Sequence, residues 1–299
     1  MVNHASTEGV ALAPSDAFDP VQFKEQIRTE WRSAAPGWHR WLDVVEADEG
    51  GRRHSATLIE LAELQPGAVV LDVGGGYGEP SLSAARVVGP GGRVVCTDIS
   101  PEMLAVARVR AVEAGITNVE FVARDAEELD FDDASFDAVL SRATLMFLPD
   151  VAGTLRRLRR TLKPGGRLAA SVWGPPTTVQ FAAAFPVVVG ELALPLPPPG
   201  RPGAFALGDP ERLAELVRQA GFEDVRTGTV AVIFETDSTE RFTEFIRDVA
   251  PQLTTLLADQ PPEAQERIWR KVSDAYRPFR QADGRVRTEN QAVWVRAVR

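Results

Sequence analysis

Apolar positions change their spacing along the chain, and each change marks a different kind of element. From Val21 onward, Phe23, Ile27 and Trp31 recur every fourth residue, the spacing of one helix face. Pro36-Gly37 is expected to break that helix. A second helix is expected to carry Trp38, Trp41, Leu42 and Val45, and a third, over residues 53–64, Leu58, Ile59, Leu61 and Leu64. Gln65-Pro66-Gly67 ends the helical spacing.

Over the next hundred residues, short apolar runs alternate with helical stretches. The runs are 68–73, 93–97, 119–123, 136–141 and 167–173. The helix after the first run ends at Gly89-Pro90-Gly91-Gly92. Ser100-Pro101-Glu102 offers a capping hydroxyl and then proline at the first helical position, and opens a helix with Met103, Leu104, Ala107 and Ala111. A helix from Asp150 carries Val151, Leu155, Leu158 and Leu162 and is closed by Lys163-Pro164-Gly165-Gly166. Such alternation predicts an α/β fold, a parallel sheet with helices on both faces.

Beyond Trp173 prolines crowd the chain, with an apolar, helical stretch at 181–194 between them. A lid-like insertion is expected over 176–208, with a Pro-rich linker as the alternative. Asp209-Pro210 caps a helix with Leu213, Leu216 and Val217; Val230–Phe234 reads as a sixth strand, 239–280 as helical, and Ala292–Val298 as a last strand reversed against the sixth. The expected organisation is a loose tail over 1–18, a helical cap over 19–64, a core over 65–175, the insertion over 176–208, and the rest of the sheet with a helical insertion over 209–299.

Composition narrows the function. The 299 residues are 44% hydrophobic, enough for a large core. A net charge of −9 argues against a nucleic-acid surface. The run Arg156, Arg157, Arg159, Arg160 and Lys163 sits where cations favour a helix dipole, and reads as a solvated face. Cys96 is the single cysteine, so no internal disulfide forms and a reducing, cytoplasmic setting is expected. No stretch reaches the roughly 20 apolar residues of a membrane span. The start of the chain does not read as a signal peptide, and His4 and His54 read as surface residues.

The chemistry gathers where strands should end, which is where open α/β sheets bind ligands. Val69-Val70-Leu71 leads into Asp72, then Gly74, Gly76 and Gly78, and Pro80 opens a helix. Glycines let a ligand lie against bare main chain, and the helix start offers N–H groups and a positive dipole end. On spacing alone a dinucleotide site uses a similar turn. Asp98, after the second run, can accept hydrogen bonds from two ribose hydroxyls; Asp125, after the third, can hold an adenine amino group; Ser141-Arg142 ends the fourth.

These pieces resemble the class I S-adenosylmethionine-dependent methyltransferases, especially those like the ubiquinone/menaquinone-biosynthesis C-methyltransferases. The resemblance rests on Leu71-Asp72-Val73-Gly74-Gly75-Gly76-Tyr77-Gly78, Thr97-Asp98-Ile99-Ser100, Asp125-Ala126-Glu127-Glu128-Leu129, Ser135-Phe136-Asp137-Ala138-Val139 and Leu162-Lys163-Pro164-Gly165-Gly166, within about residues 60–175. It implies a Rossmann-like seven-stranded methyltransferase sheet, S-adenosyl-L-methionine as cofactor and S-adenosyl-L-homocysteine as product. Asp72 and the Gly74–Gly78 turn would hold the amino-acid part, Asp98 the ribose, Ile99 and Ala126 the adenine faces, and Asp125 its amine. Ser141 and Arg142 would lie beside the sulfonium and the acceptor. Gly75 stands where the family often has Cys, Thr or Ser, and Phe131-Asp132-Asp133 would be a turn and not a metal site.

The acceptor would be a small apolar or aromatic molecule bound through oxygen, nitrogen or carbon. If the Trp38-His39-Arg40-Trp41 segment folds over the cofactor, His39 can serve as general base and Trp38 and Trp41 can wall the acceptor; Arg142 can meet an acidic group. The protein is expected to act as a monomer or homodimer. Two alternatives stand beside this reading. One is a protein of this fold that only binds the cofactor or uses it for another reaction. The other is an NAD-dependent oxidoreductase, which leaves Asp125-Ala126-Glu127 and Leu162-Lys163-Pro164-Gly165-Gly166 unexplained.

Overall fold

A strand covered by helices on both faces needs apolar residues on both, and this is what the central runs supply. Val70, Leu71, Val139, Leu140 and Leu168 are wholly buried. The computed structural model describes residues 18–195 and 200–299; the expected tail apart from Phe18, with His4, and the Pro197-Pro198-Pro199 run lie outside the described residues. Seven strands form one sheet: β1 (Val69–Val73), β2 (Arg93–Asp98), β3 (Val119–Ala123), β4 (Phe136–Arg142), β5 (Leu162–Trp173), β6 (Glu223–Thr236) and β7 (Val286–Val298). Their order is β3-β2-β1-β4-β5-β7-β6, with β7 antiparallel to both neighbours and the rest parallel. The chain reverses direction across the sheet between β1 and β4, so their carboxyl ends flank a crevice.

Helices α1 (Pro20–Arg40), α2 (Leu42–Val45) and α3 (Arg53–Leu61) precede the sheet, and α4 (Ser81–Val88), α5 (Pro101–Glu113) and α6 (Val151–Thr161) connect its parallel strands. After β5 come α7 (Ala184–Glu191) and α8 (Pro210–Gln219), and between β6 and β7 lie α9 (Thr239–Val249), α10 (Pro251–Leu257) and α11 (Pro262–Ala275). Leu58 of α3 and Ala84 and Ala85 of α4 pack on one face of the central strands, and Leu155, Leu158, Leu213 and Val217 of α6 and α8 on the other. Phe242, Phe245, Ile268 and Val272 build a third cluster with the apolar face of β6.

Five expectations change. The helix from Asp150 ends at Thr161, and Leu162, expected on its apolar face, opens β5, which takes in Lys163-Pro164-Gly165-Gly166. Pro36 does not end the first helix: α1 continues to Arg40. Proline forfeits one internal N–H bond, and docking against α9 keeps the helix going. Gly37 lies so close that a Cβ there would be 2.4 Å from the Asp248 carbonyl oxygen, and the Trp41 indole N–H donates to Asp248 Oδ2 at 2.8 Å. The sixth strand starts at Glu223, because β6 is an edge strand whose first half is polar and needs no cover on both faces. The last strand starts at Val286, since its hidden half carries the buried polar pair Thr288 and Asn290. Asn290 donates to the Val232 carbonyl at 3.0 Å and accepts from the Phe181 N–H at 2.9 Å, which satisfies it in the interior. His54 is buried on α3, 3% exposed.

The basic run behaves as read. Arg160 pairs with Asp133 at 2.8 Å, Lys163 with Asp137 at 2.7 Å, and Arg159 donates to the Gly221 carbonyl. Phe131 packs its ring on Phe136, so 131–133 is a structural turn. No helix among the described residues is long and apolar enough to cross a membrane.

The contact at Gly37 gives a test of how α1 is docked. Gly37→Ala is expected to lower stability by about 1–3 kcal/mol, because the added methyl meets backbone that cannot yield. A denaturant midpoint equal to wild type would refute the close approach.

Candidate active site

The turn after β1 is knitted to β2 by hydrogen bonds that leave one side of its main chain open. Gly75 N–H donates to the Thr97 carbonyl at 2.9 Å, and Gly76 N–H to Asp98 Oδ2 at 2.9 Å. Gly76 has φ +52°, and a Cβ there would project to 3.2 Å from Met103 and 3.9 Å from Asp98 Oδ2, on the side the cavity occupies. Gly75 is more than a lost side chain. A Cβ there would come within 2.5 Å of Cys96 Sγ, so the buried cysteine fills the room.

A cavity of about 1120 Å³, counting the open solvent at its mouth, runs along this turn. Gly74, Gly76, Asp98, Ile99, Asp125 and Ala126 line one half. Asp98 Oδ1 accepts from Ser100 N–H at 2.8 Å. Burial pushes its carboxyl up to about 6, against the pull of the Ser100, Gly76 and Ile99 N–H groups. Asp125 caps the following turn through Glu127 N–H at 2.8 Å and meets Lys24 of α1 at 2.9 Å; Lys24 also reaches Glu127 at 2.6 Å. Three of the predicted cofactor residues lie outside the lining. Asp72 is buried below the turn, held by the Ser81 hydroxyl at 2.6 Å, with Oδ1 unpartnered among the described residues; burial raises it to about 7. Gly78 faces Leu82 and Ala107. Ser141 is buried and donates to the Val73 carbonyl at 3.0 Å, which ties β4 to β1.

The other half is aromatic, with Trp38, Phe147, Trp173 and Phe234 on its walls. Trp38 stacks on Tyr77 at 5.1 Å between ring centres, and Trp31 meets Phe147 edge-on at 5.7 Å. Two expectations are corrected here. His39 is exposed and outside the cavity, because successive helical residues turn about 100° and Trp38 takes the inward direction. Trp41 is wholly buried against Phe245, since α1 ends at Arg40 and the chain leaves that helix face. The Pro-rich insertion, expected as a lid, contributes none of its described residues to the lining. Its Phe181 packs edge-on against Trp173 at 5.0 Å and buttresses the wall. The cover over the cavity is instead α1, through Lys24, Ile27, Trp31 and Trp38.

Arg142 reaches the cavity with its Nη1 and Nη2 groups engaged. It donates to the Gly51 carbonyl at 3.0 Å, Ser55 Oγ at 2.9 Å, Glu46 at 3.3 Å and the Tyr77 hydroxyl, and Tyr77 in turn donates to Glu46 at 2.6 Å. The guanidinium is therefore a structural centre, with its charge paired to Glu46. Sequence reasoning missed Glu46, Tyr77, Trp173 and His54 as site residues. Tyr77 lay inside the glycine turn and Trp173 at a strand end, both positions that project toward a ligand. His54 precedes Leu58 and Leu61 by four and seven residues, the spacing of an inward helix face.

Comparison with known proteins adds the relationship. A family model described as a methyltransferase domain matches residues 71–170. The chain is 35% identical over 217 residues to the ubiquinone/menaquinone biosynthesis C-methyltransferase UbiE of Pseudomonas fluorescens (strain SBW25), across 68% of this chain and 84% of that one. It is 43% identical over 167 residues to the protein of the same name from Ectopseudomonas mendocina (strain ymp), across 55% of this chain. That match spans 64% of the relative, just under two thirds of its length. Among solved structures, phosphoethanolamine N-methyltransferase 2 of Haemonchus contortus, solved with phosphomonomethylethanolamine and S-adenosylhomocysteine, superimposes with a TM-score of 0.58 at 22% identity, covering 93% of this chain and 60% of that one. This likeness establishes a shared fold.

Removing one partner from a buried ion pair leaves the other charge uncompensated. Glu46→Ala is expected to destabilise the protein by about 3 kcal/mol, read as a lowered thermal midpoint. A midpoint within error of wild type would show that the Arg142 charge is balanced without Glu46.

Proposed function

The chain belongs to the S-adenosyl-L-methionine-dependent methyltransferases, and from that premise we propose that it transfers a methyl group to a small apolar or aromatic acceptor held against Trp38 and Trp173. The supporting observation is the cavity's division into a main-chain-and-carboxylate half and an aromatic half. The residues present suit the cofactor. Gly76 leaves a cradle that any side chain would fill, and Asp98 faces the cavity within reach of a ligand on that cradle.

In this reading Asp98 accepts the two ribose hydroxyls, Ile99 and Ala126 flank the adenine, Asp125 holds its amine, and the 74–76 main chain takes the amino-acid part. Asp72 and Ser81 form the floor of the turn. The cofactor, when bound, supplies a methyl group already activated on a sulfonium. The chain's own work is to align the acceptor and keep water out, and alignment alone can account for much of the rate. The indole faces of Trp38 and Trp173 also favour a nearby cation. The names of the curated relatives point to carbon methylation in quinone biosynthesis for those proteins; the aromatic half supports a ring-shaped acceptor here. We place the protein in the cytoplasm, as a monomer or homodimer, with no nucleic-acid partner.

Calorimetric titration is the direct test. S-adenosylmethionine and S-adenosylhomocysteine are expected to bind and NAD to give no heat; binding of NAD alone would replace this reading with an oxidoreductase. Asp98→Ala is expected to weaken cofactor binding by about a hundredfold or more while the circular dichroism spectrum is kept, as two hydrogen bonds to a charged acceptor are lost. The pH dependence has a definite sign. The free Asp98 carboxyl holds its proton up to about 6, and the ionised form binds the hydroxyls. Affinity should fall as pH drops through 6, and this drop should be absent in Asp98→Ala. An affinity flat from pH 5 to 8 would sink the ribose assignment.

A further inference from the structure

Two polar side chains of the aromatic half have incomplete hydrogen bonding among the described residues: Trp38, whose buried indole N–H is unpartnered, and His54, the one of the two that can accept. His54 sits on α3, lines the cavity, and lies 5.9 Å ring to ring from Trp173. Its Nε2 is paired with the Ser171 hydroxyl at 2.7 Å. Its Nδ1 has no hydrogen-bond partner among the described residues, yet does not count among their sealed, unpartnered polar atoms. The surrounding walls are Val232, Phe234 and Trp173, which offer no acceptor of their own from their side chains save through ring faces.

We propose that His54 selects the methyl acceptor: Ser171 Oγ accepts from Nε2–H, which leaves the Nδ1 lone pair facing the chamber to receive a hydroxyl from a neutral hydroxylated aromatic ring. This rests on the reading of the cavity as a methyl-transfer site. Three features point the same way. The aromatic walls fit a flat ring. The charged group whose field reaches the imidazole is Arg142, from the end of β4; its charge is paired with Glu46 and its Nη1 and Nη2 groups donate to Glu46, Tyr77, Gly51 and Ser55, which suits a neutral acceptor better than a carboxylate. Burial, and then the Arg142 charge, hold His54 well below its usual range, so the ring is neutral at pH 7 and able to accept. A neutral imidazole with one nitrogen engaged presents one remaining site; the Ser171 hydroxyl can pair with either tautomer, and the lack of a side-chain acceptor on Val232, Phe234 and Trp173 is what favours the proton on Nε2.

The test uses protein loaded with S-adenosylhomocysteine and two probes of matched shape, 1-naphthol and naphthalene. Three histidines in the chain make the imidazole nitrogen spectrum simple to assign with a His54→Gln variant. The expected result is an Nε2–H tautomer for His54, an Nδ1 signal moved by 1-naphthol and not by naphthalene, and 1-naphthol bound about tenfold more tightly, the worth of one neutral hydrogen bond. In His54→Phe that preference should vanish while S-adenosylhomocysteine still binds. Should His54→Phe fail to fold, the double variant His54→Phe/Ser171→Ala, which removes both polar partners together, carries the same expectation. In Ser171→Ala the tautomer should lose its bias. An unmoved Nδ1 signal, an Nδ1–H tautomer, no binding of 1-naphthol, or a preference that survives loss of His54 would each overturn the proposal. Failure of the wild-type protein to bind S-adenosylmethionine or S-adenosylhomocysteine would instead condemn the methyl-transfer reading itself.

Discussion

A guanidinium buried at the end of a central strand must be neutralised where it stands, and much of the site's geometry follows from that demand. The Arg142 side chain is 8% exposed, and taking such a charge out of water costs several kcal/mol unless it is paired and hydrogen-bonded. Its partners come from three places: Glu46 after α2, Gly51 and Ser55 around the start of α3, and Tyr77 in the glycine turn. The helical segment that precedes the sheet is thereby fastened to the sheet's carboxyl end. Tyr77 is held between Arg110 and Arg142, 5.1 and 5.3 Å from its ring centre, and Trp38 stacks on it. The stack sets how α1 crosses the cavity, and Lys24 fixes the far end of that crossing at Asp125.

The two halves of the cavity have different origins in the chain. Strand ends and the turns after them build the half with Asp98 and Asp125, so its positions are set by the register of β1, β2 and β3. The aromatic half takes Phe147 from the segment after β4 and Trp173 from the end of β5, and the rest from α1, α3 and β6, elements that the parallel core does not require. A shared fold therefore speaks to the first half only. The likeness to an N-methyltransferase at 22% identity is of this kind, and in the proposed function the choice of acceptor falls to Trp38, Trp173, Phe234 and His54.

The sequence displayed the parallel core well because strands buried on both faces write themselves as unbroken apolar runs. Asp98 and Asp125 were visible for the same reason, since each follows directly on such a run. What stayed hidden was written in a different way. Thr288 and Asn290 are polar yet interior, satisfied by partners more than fifty residues away that no local pattern reveals. Pro36 reads as a breaker, and only the packing of Gly37 on α9 shows why the helix passes through it. His39 and His54 exchanged places between surface and interior, because a helix direction decides which histidine faces a ligand and a residue type does not. Trp41 was expected beside Trp38 on the pocket wall if their segment folded over the cofactor, and it belongs to the core.

The position of β7 has a bearing on how the molecule comes into being. Residues 286–298 insert between β5 and β6, although they are made after everything else in the sheet. While the chain is being synthesised, β5 presents a bare hydrogen-bonding edge along Arg167–Trp173, and β6 has no strand beside it at all. An unpaired edge is a template for wrong partners, and chains fold from the amino terminus as they emerge. The half of the protein that binds the cofactor can form early, whereas the β6 wall of the aromatic chamber waits for the last strand.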